Sequence, residues 1–137
     1  MSPGGSSGGE GASIGFKCAV LGVGTDIGGS VRCPAAFNNC YGLRTTALRN
    51  TVLGNYGVTG GQESIRGIVG PLGQSIEDLW AFEKATIDQE PWDIDTSIVP
   101  LPWRGELVKP KSITVGIMFD DGQVDCYLLR NVNYVNC

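Results

Sequence analysis

Apolar positions in this 137-residue chain fall into short segments separated by glycine and proline, and the spacing changes from one segment to the next. Cys18-Ala19-Val20-Leu21-Gly22-Val23 is a continuous apolar run closed by Gly24, which predicts a buried strand. Tyr41-Gly42-Leu43-Arg44 predicts a second short strand. Ser64 to Val69 alternates and predicts a third that stops at Gly70-Pro71, where proline offers no N–H to a ladder. Residues 75–87 carry helical spacing, with Ile76, Leu79, Trp80 and Glu83 on one face, Phe82 beside them, and Ser75 and Asp78 placed as a capping box. A shorter helix is predicted from Ser7 to about Lys17, with Ser7 as N-cap and Glu10 as its partner. One or two helical turns follow Ser30 as far as Phe37, with Pro34 near their start. Residues 45–62 have no period and read as loop. Residues 88–107 hold three prolines and two tryptophans and read as an extended surface excursion. Ser112 to Phe119 predicts a last strand with Ile113, Val115 and Ile117 on one side.

The loops between these elements carry the chemistry. Ten of the 21 glycines lie in the first 30 residues, eight of them in two stretches that each frame a serine. These are Gly4-Gly5-Ser6-Ser7-Gly8-Gly9-Glu10-Gly11 and Gly24-Thr25-Asp26-Ile27-Gly28-Gly29-Ser30-Val31-Arg32. Glycine lets backbone N–H groups turn toward one point, as an anionic ligand or an oxyanion requires. The N–H groups of Ile27, Gly28, Gly29 and Ser30 are placed to converge in this way. The plain alternative is a tight turn with a capping serine. Gly4-Gly5-Ser6-Ser7-Gly8 matches the G-x-S-x-G elbow in form, but no strand precedes it, and a chain with no histidine has no histidine partner for it. For the same reason a Ser-His-Asp triad within these residues is excluded.

Composition narrows the classes further. Hydrophobic residues make up 42% and charged residues 18%, as in a globular domain. The formal charge is −4 and the ten basic residues are scattered, so there is no electrostatic footprint for nucleic acid. No apolar run reaches membrane-spanning length. Met1-Ser2-Pro3-Gly4-Gly5 has neither the basic nor the apolar region of a secretory signal. Five cysteines form no CxxC pair, which favours free thiols and a reducing, cytoplasmic setting. Without histidine, zinc-ligand spacing is absent, and no metal site is expected. Seven carboxylates between Glu77 and Asp95, against Lys84 alone, read as a solvated face. Gly22-x-Gly24 lacks the third glycine of a dinucleotide fingerprint, and there is no Gly-Lys-Ser/Thr run.

The two serine stretches, followed by Pro34-Ala35-Ala36-Phe37 and Tyr41-Gly42-Leu43-Arg44, resemble the defining segment of the amidase signature family. Gly61-Gln62-Glu63, Val69-Gly70-Pro71-Leu72, Glu90-Pro91-Trp92 and Val99-Pro100-Leu101-Pro102-Trp103-Arg104 resemble the acetamidase-like general amidases of fungi. The resemblance runs to about Asp121. It implies an α/β fold, a mixed central sheet covered by helices, of which this chain carries the nucleophile half. It also implies a Ser-Ser-Lys triad with Ser30 as nucleophile. Ser6 would relay the proton and precede a cis peptide bond, with Ile27 to Ser30 as oxyanion hole and Thr25, Asp26 and Arg32 in support. The substrate would be a small-molecule amide, with no cofactor and no metal.

The family's lysine belongs to a segment upstream of this sequence, and Lys17, Lys84, Lys109 and Lys111 do not match it. These residues therefore read as a fragment, inactive alone, or as a non-catalytic remnant or interaction module derived from an amidase. Residues 122–137 resemble nothing in the family and read as an unrelated tail.

Overall fold

The computed structural model describes residues 1–57, 61–105, 112, 114 and 116. The chain divides into units of residues 1–105 and 106–137, and the architecture below is that of the first. Helix α1 (Gly8–Gly15), strand β1 (Leu21–Asp26), helix α2 (Arg32–Phe37) and strand β2 (Tyr41–Gly42) come first. Strand β3 (Ile68–Gly73), helix α3 (Ile76–Ile87) and a single 3₁₀ turn (Pro91–Asp93) follow. β3 lies between β1 and β2 and runs antiparallel to both.

β1 is displaced from its expected position. It begins at Leu21, runs through Gly24 to Asp26, and is buried on one side only. The buried positions are Gly22, Gly24 and Asp26, whereas Leu21 and Val23 face outward. The cause is close packing by the first glycine-rich segment. A Cβ on Gly22 would strike the Glu10 carboxyl, and one on Gly24 would sit 2.6 Å from the Ser7 hydroxyl. Leu72 on β3 pairs with Gly22 on one side and Gly42 on the other, and it completes the core with Ile14 of α1, Val31, and Ala35 of α2. The flat face that the glycines leave is what lets two short helices reach Leu72.

β3 does not stop at Gly70-Pro71 but passes through both residues in the centre of the sheet. Pro71 is tolerated because its missing N–H would point toward β2, not β1. The Leu43 N–H donates to the Pro71 carbonyl at 3.0 Å, and a regular antiparallel pair would return a second bond from residue 71. Proline cannot return it, so β2 ends at Gly42 rather than at Arg44.

α3 starts as its sequence predicts. Ser75 Oγ accepts from the Asp78 N–H at 3.1 Å, and the Asp78 carboxylate accepts from the Ser75 and Gln74 N–H groups at 2.9 and 3.0 Å. Its buried stripe is Leu79, Glu83 and Ile87, while Ile76 and Trp80 are exposed. α1 differs, since Ser7 makes no side-chain cap there. Residues 88–105 are less exposed than expected: Pro91, Asp95 and Ile98 are buried. Asp95 accepts from Thr51 Oγ1 at 2.6 Å, and the Val99 N–H donates to the Leu48 carbonyl at 3.0 Å, which ties this segment to the 48–51 loop. The expected strand at 112–119 and the tail at 122–137 lie outside the described residues, apart from isolated positions.

Replacing Ser75 with Ala removes one half of the capping box. The expected loss is about 1 kcal/mol of stability, read as a lower urea midpoint at unchanged slope.

Candidate active site

The site is organised around one carboxylate. Asp26 ends β1 with its side chain inaccessible to solvent. One oxygen accepts from the Gly29 N–H at 2.7 Å and Arg32 Nη2 at 3.0 Å. The other accepts from the Val31 N–H at 3.1 Å, the Arg32 N–H at 3.4 Å and Arg32 Nε at 2.9 Å. Arg44 Nε stands 3.7 Å away as a second cation. These donors, the Arg32 guanidinium first among them, hold the carboxyl well below the usual carboxylate range, although burial acts in the opposite direction. The turn from Ile27 to Val31 is thereby folded around its own side chain. Gly29 closes it at φ +123°, a conformation that L side chains rarely adopt.

Ser30 follows that turn, and its carbonyl accepts from the Ser7 N–H at 3.1 Å. Ser7 also locks the first glycine-rich loop to β1, because its hydroxyl accepts from the Thr25 N–H at 3.1 Å and reaches the Thr25 carbonyl at 3.3 Å. Ser6 and Ser30 consequently line the same cavity, of about 560 Å³, together with Thr25, Asp26 and Ile27. Neither serine hydroxyl makes a hydrogen bond to another described residue. The peptide bond between Gly5 and Ser6 is cis, so the unusual bond precedes Ser6 rather than following it.

Of the four backbone donors expected at the turn, Gly29 is already engaged by Asp26. It therefore belongs to the support of the loop and not to its open donors. Among the described residues, the N–H groups of Ile27, Gly28 and Ser30 have no protein acceptor. Thr25, Asp26 and Arg32 are all built into the loop. No lysine lines the cavity among the described residues: Lys17 is exposed after α1, and Lys84 pairs with Asp88. Lys109 and Lys111 lie outside the described residues.

Three contributors escaped sequence reasoning. Ser7 was assigned as a helix cap, and only the proximity of Gly24 reveals its contact with Thr25. Arg44 was read as a strand residue. Asn50 lines the cavity from a loop without period, and its amide donates to buried Glu83 at 2.9 Å and to the Val69 carbonyl at 3.2 Å.

Two glycine-framed serines over one cavity, on a sheet packed by helices, define the α/β architecture of the amidase signature. A solved structure of fatty acid amide hydrolase superposes with a TM-score of 0.83 at 46% identity, over 89% of this chain and 22% of that one. The family model described as Amidase matches residues 1–133, and the chain belongs to the Amidase family. A Schizosaccharomyces pombe protein named as an amidase is 53% identical over 91% of this chain. An acetamidase of Emericella nidulans is 45% identical over 88% of it. The chain spans 23% of the length of each of these two relatives.

Asp26→Ala leaves the buried Gly29 and Val31 donors without an acceptor, which costs on the order of 3 kcal/mol. The wild-type contribution has a defined pH window. Because the folded value is depressed, the contribution is fully present above the unfolded value near 3.8 and is lost as pH falls toward the folded one. Acid titration followed by circular dichroism checks both points: the wild type loses stability below about pH 4, and the variant, already weaker, loses less over the same range.

Proposed function

We propose that this chain carries the nucleophile half of a serine amidohydrolase acting on carboxylic amides in the cytoplasm, with Ser30 as nucleophile and Ser6 as proton relay. The observation that carries this reading is the meeting of Ser6 and Ser30 in one cavity, beside a turn that Asp26 clamps from within. A lysine supplied from outside the described residues takes a proton from Ser6, and Ser6 takes one from Ser30. Ser30 Oγ bonds to the amide carbon, and the carbonyl oxygen gathers the negative charge. The open N–H groups of Ile27, Gly28 and Ser30 face that charge, each worth on the order of 10²–10³ in rate. The C–N bond then breaks, the amine leaves with the proton, and water releases the acyl group from Ser30. Thr25, Asp26 and Arg32 hold the turn in place and take no part in proton transfer. The amidase and acetamidase names of the relatives support the choice of an amide substrate.

Among the described residues no lysine base lies at the cavity beside Ser30, so residues 1–137 alone are expected to be catalytically silent. A second reading, a non-catalytic module that docks on an intact amidase, draws on the same feature, the absence of a lysine at the cavity among the described residues. An active-site-directed fluorophosphonate separates the readings. The hydrolase reading expects no labelling of residues 1–137 alone. It expects labelling of Ser30, lost in Ser30→Ala, once the chain is extended to the length of its relatives and hydrolyses amides. An extended protein that hydrolyses amides as well with Ser30→Ala as without it overturns the assignment. One that never labels and never hydrolyses favours the docking module.

A further inference from the structure

Two charged side chains line the cavity among the described residues, Asp26 and Arg66. Their situations differ. Asp26 is enclosed by five hydrogen bonds from backbone and guanidinium donors, and Arg44 lies beyond them, so its charge is offset before it reaches the cavity. Among the described residues Arg66 pairs with Glu63 alone, at 3.9 Å, and both side chains are exposed, 44% and 83%. Water screens such a pair to a small contribution, which leaves the Arg66 fork able to exchange Glu63 for another anion. Its backbone is placed by the same hub that shapes the turn, because Arg44 Nη2 donates to the Arg66 carbonyl at 3.4 Å. Gln62 lines the same cavity.

On this basis we propose that Arg66 selects substrates by reading a carboxylate, so that the amides this cavity takes are anionic ones, monoamides of short dicarboxylic acids. The proposal rests on the amide-hydrolase reading of the cavity and deepens it. A planar guanidinium matches a carboxylate in two parallel N–H···O bonds, and a neutral acyl chain gives it nothing to bind. Arg66 and Ser30 line one cavity, so a carboxylate bound by the guanidinium leaves the amide of the same molecule in the cavity that Ser30 lines.

The test is binding to the 137-residue chain itself, followed by backbone amide chemical shifts, with succinamate and its neutral isostere succinamide as probes. Succinamate is expected to bind about tenfold more tightly or better at low ionic strength, as a gain of roughly 1.4 kcal/mol requires. Arg66→Gln should erase the difference, Arg66→Lys should keep part of it, and added salt should narrow it in the wild type alone. Both probes binding equally overturns the proposal and leaves the amide site standing. Succinamate winning equally in Arg66→Gln places the selection elsewhere and also overturns it. Neither probe shifting the resonances of Ser6 or Ser30 removes the amide site and the proposal together.

Discussion

A buried carboxylate that folds the chain around itself is the constraint on which the rest depends. Asp26 ends a strand, and the residues just after it supply its donors, so strand end, turn and the start of α2 form one unit. Buried charge is costly unless it is paired and hydrogen-bonded. Here each oxygen has a backbone donor and a guanidinium donor, and Arg32, half exposed, brings its countercharge from the solvent side. The turn cannot relax without stripping Asp26 of those partners. The open donors of Ile27, Gly28 and Ser30 are therefore held by an interaction in which they take no part. That is the property a preorganised anion site needs, because a donor that must first be freed or turned contributes less.

The second constraint is distance. The first glycine-rich segment must lie close enough to β1 for Ser7 to reach the Thr25 backbone. Side chains at 22 and 24 would hold it off, which explains why the strand presents glycine to its helices and its larger residues outward. The arrangement has a cost. Leu21 and Val23, with Val20 just before them, stand exposed on a strand with only β3 beside it among the described residues. An apolar strand edge of this kind favours pairing with further chain. The same glycines that let the first loop close on β1 thus leave the outer edge of the strand apolar.

What could be read from the sequence follows from which interactions are local. The α3 capping box, the turn after β1 and the short helix after Ser30 depend on residues within a few positions of one another, and all three are present. The errors fall where a distant segment decides. β1 was misread as fully buried because its apolar residues are contiguous, whereas α1 selects the glycine side. β3 was cut short at Pro71 because the rule against proline in strands ignores which neighbour loses the hydrogen bond. Ser7 was assigned a local cap when its partner is 18 residues away. For the candidate site, motif and resemblance single out Ser6, Ser30 and Asp26, and the structure sets all three at one cavity. The engagement of Gly29 could not, since four successive N–H groups look alike until Asp26 selects among them.

Asn50, another lining residue of the cavity, rests on a second buried carboxyl, whose behaviour is the reverse of the first. Glu83 lies inside α3 with Asn50 as its hydrogen-bond donor, and burial pushes its carboxyl above the ordinary value, with Asn50 and the charge of Arg49 acting against that rise. A carboxyl raised in the folded state contributes stability at low pH and loses it as pH climbs through its folded value. Asp26, depressed, contributes at higher pH and loses that stability on acidification. The two carboxyls hold different parts of one cavity, Asp26 the turn bearing Ser30 and Glu83 the loop bearing Asn50. Acidification therefore weakens the turn bearing Ser30, while a rise in pH through the Glu83 value weakens the hold on the loop bearing Asn50. The two parts of the cavity thus respond to pH in opposite senses, because the fold surrounds two otherwise similar side chains so differently.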